Sequence, residues 1–209
     1  MPVKNNREYR NLTEFRALED DEQKIVEGYA STFDEPYTLF EGTDWVYEEV
    51  VDRGAFDNTD MSDVIMQYDH QGRVFARNKN NTLEIGVDDR GLSIKADLGG
   101  TEIGRGLYEE IRGGYTDKMS FGFTVDGETE ERIEREGEPL LFRRHITSVK
   151  KLYDVSAVSI PANDATSISA RNLTDGVISR IEAERLEEAR ADVMRKLINL
   201  RVREVITND

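Results

Sequence analysis

A chain with no cysteine and only two histidines, His70 and His145, has few routes to covalent chemistry near neutral pH. Thiolate nucleophiles, disulfides and cysteine-based metal sites are excluded, so His70 and His145 carry most of the search. Serine is a weak nucleophile until a neighbouring base removes its proton. Ser120 has the surroundings for that role. In Met119-Ser120-Phe121-Gly122-Phe123-Thr124-Val125, the residues Met119, Phe121, Phe123 and Val125 make one apolar strand face, so Ser120, Gly122 and Thr124 point the other way. Gly122 leaves space beside the hydroxyl. His70 ends the apolar run Val64-Ile65-Met66-Gln67-Tyr68-Asp69-His70, in phase with Met66 and Tyr68. That places it at a sheet edge, beside a turn begun by Gln71-Gly72.

A third group must orient such a histidine and stabilise its charged form. Asp154 is the first candidate, because a carboxylate inside the apolar run Leu152-Tyr153-Asp154-Val155-Ser156-Ala157-Val158-Ser159-Ile160 is costly to bury without a partner. His145 is the second, since Arg143 and Arg144 beside it disfavour another positive charge. From spacing alone each residue also fits a structural role: His70 packed or solvated, Ser120 on a solvated strand face, Asp154 at an outward edge position.

The elements that must position these residues read mainly as short strands. They are Lys24 to Phe33, Trp45 to Val51, Val64 to His70, Asn81 to Val87 paired through Asp88-Asp89-Arg90-Gly91 with Leu92 to Leu98, Met119 to Val125, Leu141 to Val149, and Leu152 to Ile160. Thr101 caps a helix in which Ile103, Leu107 and Ile111 recur every four residues, and Gly113-Gly114 stops it. The charged stretch from Asp126 to Pro139 reads as an exposed loop or a solvated hairpin tip. Residues 1–23 read as a polar, flexible N-terminal segment and 24–170 as the folded domain. Residues 171–209 read as an amphipathic helix with Leu186, Ala189, Val193, Leu197 and Leu200 along one side. The expected fold class is α+β and β-rich.

The net charge of -15 argues against a phosphate-backbone binder, which needs clustered Lys and Arg. Charges balance from Arg171 onward, so the acidity belongs to the first 170 residues. No apolar run reaches the ~18 residues of a membrane span, and Met1 to Arg10 lacks the apolar centre of a signal peptide. A cytosolic location is the expectation.

With these residues in place, the chain resembles the tailed-phage prohead proteases, whose fold is shared with the herpesvirus assembly proteases. The resemblance covers roughly residues 25–170. It rests on Glu27-Gly28-Tyr29-Ala30-Ser31-Thr32-Phe33-Asp34, Gly54-Ala55-Phe56, Tyr68-Asp69-His70, Asn81-Thr82-Leu83, Asp89-Arg90-Gly91-Leu92, Met119-Ser120-Phe121-Gly122-Phe123, Leu152-Tyr153-Asp154-Val155-Ser156 and Pro161-Ala162-Asn163. It implies an assemblin-like β-barrel with flanking helices and a serine endopeptidase in which Ser120 and His70 are catalytic, without metal or cofactor. It further implies cleavage of scaffold and of the N-terminal segment of the major capsid protein inside the assembling procapsid in the host cytoplasm, with self-cleavage. Oxyanion donors would be backbone N–H groups, with Arg143 or Arg144 as candidate helpers. The C-terminal helix would serve docking or homo-oligomerisation, or be removed by self-cleavage. The chain departs from the family pattern in having Asp154 where Glu is usual, Gln71 where Asp follows the histidine, and Val74-Phe75-Ala76-Arg77 in place of a Gly-rich segment. The rival expectation is a non-catalytic assembly or scaffold protein that keeps the barrel for binding.

Overall fold

The computed structural model of the chain describes residues 7–18, 23–159 and 168–207. Ten strands and two α-helices run through them in the order β1 (Glu8–Ala17), β2 (Ile25–Thr32), β3 (Tyr37–Glu41), β4 (Trp45–Val51), β5 (Ile65–Tyr68), β6 (Gln71–Arg77), β7 (Leu83–Val87), β8 (Gly91–Asp97), α1 (Glu102–Arg112), β9 (Lys118–Ile133), β10 (Leu140–Val158) and α2 (Ile168–Thr207). The Pro161-Ala162-Asn163 motif lies outside the described residues. The chain divides into two compact units, Met1–Ser169 and Ala170–Asp209.

In the first unit β10 is the hub. It pairs antiparallel with β9 along its length, parallel with β4 through Leu140–Ile146, and parallel with β5 through Asp154–Ala157. The two runs read separately in the sequence, Leu141 to Val149 and Leu152 to Ile160, are thus one strand. Its register shifts around Ser148 to Leu152 make bulges that bend the strand without breaking it. The charged stretch after Val125 is mostly strand as well, because β9 runs on to Ile133 and only the hairpin tip leaves the ladder. Outward charges cost a solvated hairpin nothing.

The path of hydrogen-bonded neighbours is β3-β4-β10-β9-β1-β2-β8-β7, with β6 on β5 and β5 on β10. It has free ends, so the strands do not close into the expected β-barrel. Closure needs a ladder between the terminal strands, and among the described residues β7 pairs only with β8 and β3 only with β4. Bulges and the change of partner along β1, from β9 to β2, curl the sheet without joining its ends. The segment expected to be a flexible N-terminus therefore supplies a central strand. Its polar composition hid it, since a strand held between two neighbours by backbone bonds needs no continuous apolar face.

The curled sheet encloses a core in which Val26, Met66, Leu92, Met119, Phe121, Phe123, Leu152 and Val155 have almost no exposed surface. Each such side chain contributes roughly 1.5–3 kcal/mol by leaving water. Helix α1 starts at the Thr101 cap, whose Oγ1 accepts a bond from Gly104 N at 3.0 Å, and it buries Leu107, Tyr108 and Ile111. The Tyr108 hydroxyl donates to Leu18 O at 2.7 Å, fastening the helix beside the end of β1.

A cluster of buried charges ties β1 to the sheet from behind. Glu49 on β4 is fully buried and accepts from Arg10 Nε at 2.5 Å, Arg10 Nη2 at 2.9 Å, Arg144 Nη1 at 2.7 Å and the Tyr37 hydroxyl. Glu8 accepts from both guanidinium groups in turn. Burial alone would raise the Glu8 pKa, but Arg144 and Arg10 outweigh it and hold the carboxyl below its usual value. Because that folded-state value is depressed, its contribution to stability is present at neutral pH and is lost as pH falls through it. Glu49→Ala leaves two guanidinium groups buried without their shared carboxylate, a loss of roughly 3–5 kcal/mol. Urea denaturation should show a large drop in midpoint, and an unchanged midpoint would contradict this role for the cluster.

Candidate active site

The site is assembled by one tight turn and the register of three strands. Strand β5 stops at Tyr68, and Asp69 and His70 both have left-handed backbone angles, with φ of 49° and 57°. They form a two-residue hairpin turn closed by the Tyr68–Gln71 pair, with the left-handed geometry that suits the twist of the flanking strands. The sequence reading put His70 in the strand and the turn at Gln71-Gly72. The difference arises because two consecutive left-handed residues reverse the chain two positions earlier. Asp69 stabilises the turn. Its backbone N–H donates to Ala157 O at 2.9 Å, and its carboxylate accepts from Ser159 N at 2.9 Å and from the Ser159 hydroxyl.

Across from that turn, Ser120 on β9 pairs with Ser156 on β10, and Gly122 pairs with Asp154. Side chains of such cross-strand and next-but-one positions share a face, so Ser120, Asp154 and Ser156 converge. His70 lies between them. Its Nε2 is 2.5 Å from Ser120 Oγ and its Nδ1 is 2.5 Å from Asp154 Oδ1. The structure thus brings together the three residues singled out in the sequence. Asp154, with a shorter side chain than Glu, reaches the imidazole because the turn carries the ring to the face of β10.

Sequence reasoning missed the part of Ser156, whose hydroxyl donates to Asp154 Oδ1 at 2.8 Å. The i, i+2 spacing of Asp154 and Ser156 on a strand was the available signal. Tyr9, from the unrecognised strand β1, also borders the site, with its ring centroid 4.2 Å from that of His70. Gly122 is required sterically, since a Cβ there would run into Asp154 Oδ2.

Chemically, a buried carboxylate accepting from Nδ1–H leaves Nε2 as the basic nitrogen, aimed at the serine hydroxyl. Ser120 and Ser156 have no exposed surface, Asp154 is buried, and the His70 side chain is 16% exposed.

His145, the second candidate for the third role, lies elsewhere. It precedes Asp154 by nine positions on β10, a distance on the order of 25–30 Å along a strand, and it contacts Asp52 Oδ1 at 2.7 Å and Glu131 Oε1 at 3.3 Å. Arg143 pairs with Glu48 and Glu131, and Arg144 with Glu8, Glu49 and Glu128. Both guanidinium groups are engaged in that half of the strand.

A family model described as caudovirus prohead serine protease matches residues 12–177. Comparison with curated proteins finds no match, and comparison with solved structures finds none either.

The surroundings of His145 make a pH-dependent prediction. Burial alone would lower its pKa, but the carboxylates of Asp52 and Glu131 outweigh that and raise it above the usual imidazole value. A raised folded-state pKa stabilises fully below the unfolded value of about 6.5 and is lost as pH rises through the folded one. His145→Ala should therefore cost roughly 0.5–1 kcal/mol at about pH 5.5 and little at about pH 9. Urea melts at the two pH values measure the difference, and an equal cost at both would contradict the assignment.

Proposed function

The chain belongs to the caudovirus prohead serine protease family, and from that membership we propose that Ser120 is its nucleophile, His70 the general base and Asp154 the residue that orients and stabilises the imidazole. The family role is that of a serine peptidase of phage capsid maturation, acting within the procapsid on capsid-related substrates. Among the described residues no helix is long and apolar enough to cross a membrane. The observation that carries the catalytic reading is the unbroken hydrogen-bonded line from Asp154 through His70 to Ser120.

In the proposed reaction His70 Nε2 takes the Ser120 proton as Oγ bonds to the peptide carbonyl carbon. Asp154 stabilises the imidazolium through Nδ1–H without taking its proton. Collapse of the tetrahedral intermediate breaks the C–N bond, and His70 returns the proton to the departing amine. Water, deprotonated by the same histidine, then attacks the acyl ester, and collapse breaks the acyl C–Oγ bond, releasing the new carboxyl terminus as His70 returns the proton to Ser120. With Arg143 and Arg144 committed to carboxylates, backbone N–H groups are the oxyanion donors of this scheme.

The finer reading of the substrates is the scaffold and the N-terminal segment of the major capsid protein, with cleavage of the protease itself. Confinement of many copies in a shell raises effective concentration, so modest intrinsic activity suffices. Helix α2, with Leu186, Val193 and Leu197 each more than half exposed, is the proposed docking element.

Co-expression with the capsid and scaffold proteins tests the reading by mass spectrometry of their termini. Ser120→Ala should abolish processing, and Asp154→Asn should slow it by up to ~10⁴-fold by presenting the wrong imidazole tautomer. Processing that continues unchanged in Ser120→Ala would favour a non-catalytic assembly protein and sink the protease reading.

A further inference from the structure

We propose that Tyr9 is a positioning residue for the His70 imidazole, setting the tilt of the ring by contact with its face. The inference rests on the reading of His70 as general base. It concerns a residue outside the span 12–177 matched by the family model.

The need for such a contact follows from the hydrogen bonds themselves. Nδ1 is held by Asp154 and Nε2 by Ser120, so two points of the ring are fixed, and they define a line. Small rotations about the Cα–Cβ and Cβ–Cγ bonds still let the ring tilt about that line. The turn beneath, anchored through Asp69 to Ala157 and Ser159, fixes the His70 backbone but not those side-chain rotations. A third contact, off the line, fixes the plane. Tyr9 supplies it at 4.2 Å between centroids with the rings inclined at 52°, closer than most aromatic pairs.

The surroundings of Tyr9 are built to hold it there. Strand register sets Tyr9 opposite Gly122 and Arg10 opposite Phe121. Alternation then sends Tyr9 to the cleft face and Arg10 to the buried charge cluster. Arg10 is gripped by Glu49 there, and its Nη1 also donates to Tyr9 O at 3.0 Å, so the residue next to Tyr9 clamps the backbone that carries it. Gly122 supplies the floor. A Cβ at that position would lie 2.8 Å from Tyr9 Cε1 as well as striking Asp154, so one glycine makes room for both neighbours of the histidine.

During acyl transfer His70 becomes an imidazolium, and an aromatic ring within ~6 Å attracts that cation. Tyr9 thus acts twice, as a stop for the tilt and as a π-face toward the transient charge. The phenol hydroxyl takes no part in either action.

The test is the rate of Ser120 labelling by a fluorophosphonate probe on the full chain, resolved into a maximal rate and a half-saturating probe concentration. Tyr9→Leu should lower the maximal rate by about 10- to 100-fold, as expected for a misplaced base, and change half-saturation less than about threefold. Tyr9→Phe should stay within about threefold of the parent rate because it keeps the ring. A merely structural loss would reduce the fraction of chain that labels, or would not be rescued by Phe. Thermal melts check folding, and Tyr9→Met provides the same comparison if Tyr9→Leu melts below the assay temperature. A parent-like rate in the Leu and Met variants, or an equal fall in Phe and Leu, overturns the inference. Labelling that persists in Ser120→Ala overturns instead the reading of Ser120 on which it rests.

Discussion

The antiparallel register between β9 and β10 is the constraint from which the site is built. Ser120 faces His70 because Met119, Phe121 and Phe123 face the core. Asp154 arrives beside it because Gly122 is its cross-strand partner. Slipping this ladder by one residue would turn the polar set into the apolar core and the aromatic one out of it, a rearrangement opposed by the transfer free energy of several large apolar side chains. Hydrophobic burial, which has no directional preference of its own, thereby fixes the direction of the Ser120 and Asp154 side chains. The bulges near Ser148 and Leu152 absorb the bending this requires. They let one strand contribute Arg144 to the buried charge cluster at one end, and Asp154 and Ser156 to the His70 site at the other.

What the sequence made legible follows the same division. Alternation of apolar residues is a local property, so β4 was read with its observed bounds, Trp45 to Val51. The Thr101-capped helix is found at Glu102–Arg112. The cleft face of β9 was legible for that reason too. Strand β1 was not, because its residues are held by pairing with β9 and β2 and by a salt-bridged arginine, none of which leaves a periodic mark. The left-handed Asp69-His70 turn escaped for another reason. Neither residue is glycine, and the conformation is held by Ser159 and Ala157, some ninety positions away. Barrel closure was an expectation carried by resemblance, and it failed at the level of strand neighbours, which short-range patterns do not encode.

Electrostatics are organised in a way that net charge conceals. A chain with a formal charge of -15 nevertheless keeps two arginines almost wholly inside, each bound by carboxylates from two or more strands. Ion pairs of this kind add little net stability over an apolar replacement, but breaking one partner is costly. Their effect is to make alternative placements of β1 expensive, and β1 is the strand that brings an aromatic ring to the histidine.

The complete burial of Ser120 has a kinetic consequence. A hydroxyl with no accessible surface, in the role proposed for Ser120, meets a peptide bond only in the fraction of molecules that expose it, so the observed dissociation constant for a substrate is the intrinsic one divided by that fraction. With about one molecule in a hundred open, half-saturation needs cleavable chain at about a hundred times the intrinsic dissociation constant. Dilute solution does not supply such a concentration, whereas the confinement proposed above would. The protein's selectivity for where it works is then a matter of population as much as of recognition.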